Sequence, residues 1–153
     1  MAISFVDLFN DINNCGKPNF ETQRKRKELL LNNRTDHLEK FLRYAFHPDV
    51  KFLLPKGKPP YHAGPPSMNS KLIYGQIRLI NYLTNEFTGN LTPLKREQMF
   101  IQILESVSPE EAELIVQMKE KKLKVTGLSY NLVQETFPHL LPNKTEASET
   151  PSV

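Results

Sequence analysis

The sequence predicts an all-α fold, one irregular domain of about six to eight helices, and three observations carry that prediction. Apolar residues recur at three- and four-residue spacing in one segment after another. Capping residues stand ahead of those segments. No stretch shows the sustained apolar–polar alternation of a half-buried strand.

The first helix covers residues 4–14. Ser4 is placed to cap it, Phe5, Leu8, Phe9 and Ile12 share one face, and Asn13, Asn14 and Gly16 end it. A second spans residues 20–32, where Leu29, Leu30 and Leu31 follow the basic run Arg24-Lys25-Arg26-Lys27. Four consecutive residues cannot all point one way on a helix, so the run reads as a solvated face in preference to a phosphate-facing stripe. Thr35 or Asp36 opens the third, with Leu38, Phe41, Leu42 and Ala45 at core spacing, and Pro48 closes it.

Residues 49–67 hold five prolines and two glycines, which exclude a long helix. Phe52, Leu53 and Leu54 suit a short extended or helical piece. Lys56 and Lys58 lie among the prolines, with Tyr61 and His62 close by. A basic, aromatic loop of that kind can track a nucleic-acid backbone, and a proline-rich connector with solubilising lysines reads equally well. From Asn69 to Phe87 the spacing of Leu72, Ile73, Ile77, Ile80 and Leu83 predicts one long central helix, packed on more than one side. Gly89-Asn90 is a break. Thr92 caps and Pro93 opens a helix that reaches Val107 through Leu94, Phe100, Ile103 and Leu104. Lys95 and Arg96 sit in its first turn against the dipole, an arrangement that suits an anionic partner.

The stretch from Ser108 to Pro142 predicts two helices and a corner. Ser108 and Glu111 form a capping box, and Pro109 takes the opening position. Leu114, Ile115 and Met118 give an apolar face, and Lys119, Lys121, Lys122 and Lys124 crowd the far end, where cations suit the dipole. Gly127 breaks the chain, Ser129 caps a short helix bearing Leu132, Val133 and Phe137, and Pro138 stops it. The corner thus sets a helix N-terminus beside a lysine cluster, an anion site in outline for which phosphate is the obvious anion. Residues 143–153, polar and without periodicity, read as a disordered tail after a helical domain over 1–142.

The bulk numbers restrict function. At 153 residues and net charge +3 the chain is not globally basic, yet residues 51–100 hold seven Lys/Arg against two acids, and residues 101–153 five against eight. One cysteine, Cys15, excludes an internal disulfide and fits a reducing compartment. The start lacks the basic flank of a signal peptide, and no apolar run approaches the ~20 residues of a membrane span. The expectation is a cytoplasmic protein with no membrane partner. Histidines 37, 47, 62 and 139 are scattered without second ligands at helical spacing, so no metal or other cofactor is expected. Neither a glycine-rich phosphate loop nor G-x-S-x-G occurs. Glu110, Glu111 and Glu113 complement a helix dipole, and Cys15 has no histidine near in sequence. The chain reads as non-enzymatic.

Lys122-Leu123-Lys124-Val125, then Gly127, Ser129 and Phe137-Pro138-His139-Leu140-Leu141-Pro142 form an ordered series. It resembles the closing pattern of the helical N-terminal DNA-binding domain of ATP-dependent DNA ligases, in the short form of T-even-like phages. Leu8-Phe9-Asn10-Asp11-Ile12 resembles that domain's first helix, the Lys56–Pro60 segment its lysine- and proline-containing loop, and Thr88-Gly89-Asn90 one of its breaks. The likeness covers residues 5–142. His139 stands where the pattern has glycine, one residue is inserted between Val125 and Gly127, and the ligase K-x-D-G motif is absent. The chain also resembles small proteins of T-even-like phages, including those of marine cyanobacteria. The resemblance implies a stand-alone duplex-DNA binder of the infected host cell, gripping the backbone and minor groove. Its implied contacts are Gly127, Ser129 and Asn131 at the corner, Lys122 and Lys124 beside it, Lys56 and Lys58 on the proline loop, and Gly89 and Asn90 at the break. Lys95 and Arg96 join them on charge alone. The alternative is an interaction module for a host or phage protein, with scattered lysines and an exposed apolar patch.

Overall fold

The computed structural model describes residues 4–17, 19–62 and 73–142. Among them the order is α1 (Phe5–Asn13), α2 (Phe20–Asn32), α3 (Asp36–Phe46), α4 (Ile73–Gln76) running into a 3-10 helix (Ile77–Leu83), α5 (Pro93–Glu105), α6 (Pro109–Lys119) and α7 (Tyr130–Thr136). The only pairing of extended backbone among the described residues is an isolated antiparallel bridge between Phe52 and Thr84. The architecture is all-α.

Local chemistry accounts for the helix starts. The side chains of Ser4, Asn19, Thr35, Thr92 and Ser129 accept from the backbone N–H three residues on, and each residue stands in extended geometry ahead of its helix. At α6 both halves of the capping box form, Glu111 N–H to Ser108 Oγ and Ser108 N–H to Glu111 Oε1, each 3.2 Å.

Helix α6 is the hub. It packs against α1, α3 and α5, while α2 lies on α1 and α7, and the 3-10 helix on α3 and α5. Ala112, Ile115 and Met118 of α6 are fully buried. Phe41 of α3 meets Phe5 and Phe9 of α1 at ring-centroid distances of 5.1 and 5.7 Å, so three aromatics join the first and third helices. On α2 the buried face is Thr22, Arg26 and Leu30, and Leu31 is exposed.

The single long helix expected over residues 69–87 does not form. Residues 69–72 lie outside the described segment; the rest is one α-turn followed by a 3-10 helix that stops at Leu83. Ile77, Ile80 and Leu83 are buried at a spacing of three, which is the 3-10 period. A competing set of hydrogen bonds ends the helix. Leu53 N–H donates to Leu83 O and Asn85 N–H to Lys51 O, both at 2.9 Å. The Asn85 side chain accepts from Lys51 N–H and donates to Asp49 O, and the Thr84 hydroxyl turns back to Asn81 O. The backbone after Leu83 therefore belongs to the bridge with residues 51–53.

Candidate nucleic-acid interface

The end of α6 organises the surface around it. Lys121 adopts φ +61°, its N–H reaches Met118 O at 3.0 Å and Lys122 N–H reaches Gln117 O at 2.9 Å, the paired bonds of a Schellman stop at a position usually held by glycine. Lys119, in the last turn, is buried. Its ammonium donates to Pro55 O at 2.9 Å and Gly57 O at 2.7 Å and pairs with Glu120 at 3.1 Å. Glu120 Oε1 in turn accepts from Gly57 N–H at 2.5 Å. These bonds staple the proline loop to α6. A second strap runs from Lys121 Nζ to His47 O, the cap residue of α3, at 2.9 Å.

Beside the staple lies an open cavity of about 540 Å³ whose wall includes His47, Lys51, Phe52, Lys56, Lys119 and Lys121, with Glu120 its one acid. Lys51, Lys56 and the adjoining Lys122 are exposed and form no ion pair among the described residues. Cations brought from residues 51–56 and 119–122 thus meet at one end of α6.

Burial, and then the Arg43 guanidinium, push the Lys121 amine from 10.5 down to about 8, against the opposing pull of Glu86. Between pH 8 and 10.5 the unfolded chain binds more protons here than the folded one, so this group's contribution to stability rises with pH across that window. Its cost is felt in full below pH 8. In urea titrations the stability of wild type relative to Lys121→Met is expected to rise over the window, by up to about 3 kcal/mol. A difference that stays flat with pH removes this account.

The other expected contacts lie outside the wall of that cavity. Lys58 pairs with Glu113 of α6, which holds its amine above the usual lysine range, and it lies 5.4 Å from the Tyr61 ring centroid. Lys124 is exposed but shares a cavity of about 470 Å³ with Glu110 and Glu113. Arg96 turns back on its own fold, donating to Leu91 O at 3.1 Å and Leu53 O at 3.4 Å, while its Nε is buried without an acceptor among the described residues. Lys95 is exposed in the first turn of α5. At Gly89 a Cβ would overlap the Phe87 ring, so glycine there serves close packing, and Asn90 beside it is exposed.

The corner differs from its expected form. Gly127 has φ +84°, and lying against it is the guanidinium of Arg26, from the middle of the basic run on α2. Arg24 pairs with Glu21 and Glu28, and Lys27 with Glu135, so that run divides between solvent-side pairs and one buried arginine. Ser129 caps α7, and Asn131 is exposed in its first turn. Sequence reasoning missed Arg26 and the neighbouring Phe20. The signal for Arg26 was its place four residues after Thr22 and four before Leu30, on the face that α2 buries. Nothing in the sequence singled out Phe20.

Among the described residues no group of three or more His, Cys, Asp or Glu could hold a metal ion, and no helix is long and apolar enough to cross a membrane. A family model described as a family of unknown function, DUF6433, matches residues 17–125, and the chain belongs to that family. The matched span includes both the lysine cavity and Arg26. No curated protein matches the chain.

Proposed function

We propose that this DUF6433 member is a non-catalytic accessory protein that binds duplex DNA without regard to sequence, holding phosphates with the lysines at the end of α6. The observation that carries this reading is the staple of Pro55 and Gly57 to Lys119 and Glu120, which sets exposed Lys51 and Lys56 on the wall of one cavity at the end of α6, with exposed Lys122 just past that helix and none of the three in an ion pair among the described residues. Such lysines release condensed counterions on meeting DNA, and phosphate contacts position a duplex without reading bases. The ligase-like pattern supports the same partner, through backbone and minor groove. The phage likeness supports a role in the cytoplasm of an infected bacterium, in replication, repair or packaging.

The test is a salt titration on nicked and intact duplex DNA. Binding at micromolar concentration or tighter at low salt is expected, with log K falling against log salt at a slope of about −3 for three lysine–phosphate contacts. No binding at low salt ends the reading.

A second reading, an interaction module for a host or phage protein, has its own observation. Leu94 is 65% exposed beside a cavity of about 420 Å³ lined by Leu54, Pro59, Pro60, Phe100 and Ile101. On that reading Leu94→Asp abolishes capture of a partner from infected-cell extract and leaves DNA affinity unchanged.

A further inference from the structure

Arg26 is 5% exposed and has no carboxylate partner among the described residues. Its Nε donates to Ile12 O at 2.9 Å and its Nη2 to Gly16 O at 3.3 Å. Nη1 has no acceptor, and it is not sealed from solvent. The Ile12 carbonyl lies in the last turn of α1 and offers partial negative charge. Even so, two bonds leave most of the five guanidinium N–H donors unused. A buried cation without a counter-ion is costly, and an anion arriving at Nη1 would relieve that cost.

Phe20, at the start of α2, presents the opposite anomaly. It is 80% exposed, the most exposed of the large apolar side chains among the described residues. Phe20 and Arg26 line the same cavity, of about 500 Å³, together with Asn19, Gln23, Gly127 and Ser129. That volume lies within the range of small-molecule sites. The Ser129 oxygen is already taken by Leu132 N–H, at 3.2 Å, which leaves its hydroxyl proton available to an anion. The nearest acid on α7, Glu135, is engaged by Lys27 and by the Gln23 amide, so its charge is compensated.

A forked guanidinium suits phosphate oxygens, and an uncovered aromatic face stacks any nucleobase. We propose that this cavity binds a nucleoside monophosphate, its phosphate on Arg26 and Ser129 and its base on Phe20. The ligand is either a free nucleotide or the phosphorylated end of a strand. The site is separate from the lysine cavity and does not depend on duplex binding there.

Calorimetric titration of the full chain tests it, with deoxyadenosine 5′-monophosphate against deoxyadenosine, and a 5′-phosphorylated single strand against its 5′-hydroxyl counterpart. The phosphate-bearing member of at least one pair is expected to bind and its partner not. Binding of the mononucleotide identifies the free nucleotide as sufficient, and binding only of the phosphorylated strand identifies the strand end. Phe20→Ala, a change at an exposed position, should weaken binding roughly five- to a hundred-fold. Ser129→Asp keeps a good helix cap while setting a carboxylate beside Arg26, so it should abolish binding without lowering the melting temperature. The proposal is overturned by no binding of either phosphate-bearing probe, by equal binding of the unphosphorylated ones, or by affinity unchanged by both substitutions. Loss of mononucleotide binding on charge reversal of Lys51, Lys56 and Lys122 also overturns it, because the nucleotide would then sit in the lysine cavity.

Discussion

Gly127→Ala is expected to destabilise the protein by about 3 kcal/mol, a large fraction of a small domain's stability. Two costs combine. The residue holds φ +84°, in the left-handed region that a side chain adopts only with strain. A Cβ there would also overlap Nε, Cζ and Nη1 of Arg26. A guanidinium on a flexible side chain usually swings aside at little cost, but this one is buried and bonded to Ile12 O and Gly16 O. Displacing it breaks two charged hydrogen bonds, one buried and one part-buried. Urea unfolding of Gly127→Ala, Arg26→Met and the double variant checks the account. The two substitutions should be strongly non-additive, since each removes the same guanidinium contacts. A loss below about 1 kcal/mol for Gly127→Ala, or simple additivity, would show that Arg26 moves freely.

Reversing Lys51, Lys56 and Lys122 to glutamate should cost about two orders of magnitude in duplex affinity near physiological salt. Each phosphate contact contributes roughly −0.9 to the slope of log K against log salt. Three lost contacts remove about 2.7 from the slope, equivalent to about two decades between 1 M and 0.15 M salt. All three lysines are exposed and free of ion pairs, so the fold should tolerate the change within about 0.5 kcal/mol per site. The informative comparison is a triple reversal of Lys58, Lys95 and Lys124. Lys58 is paired with Glu113, Lys124 shares its cavity with Glu110 and Glu113, and Lys95 lies on the first turn of α5. Filter binding or anisotropy at several salt concentrations reads both variants. Equal losses from the two triples would mean that net charge, and not the end of α6, attracts DNA.

Much of the fold was legible because its signals are local. Ser4, Thr35, Thr92, Ser108 and Ser129 each cap the helix that follows them, and a cap needs only the next three residues. The face Phe5, Leu8, Phe9 and Ile12 is buried as its spacing predicts. Local reading failed between Ile77 and Phe87, where backbone groups are claimed by Lys51 and Leu53, thirty or more residues earlier. The basic run on α2, read as a solvated face, instead gives up Arg26 to the buried side of the helix.

The sequence by itself determined the starts of α1, α2, α3, α5, α6 and α7, the all-α class and a local excess of lysine near both the proline loop and the end of α6. Tertiary structure alone decided what each charge faces. Lys119 became a buried staple, Lys121 a strap to α3, Lys58 a partner of Glu113 and Arg26 the neighbour of Gly127, while Lys51, Lys56 and Lys122 stayed exposed and outside any ion pair among the described residues. The physical reason is range. A cap or an apolar stripe is set within one or two helical turns, whereas an ion pair or a buried donor is set by groups tens of residues away, whose approach only the packed chain fixes.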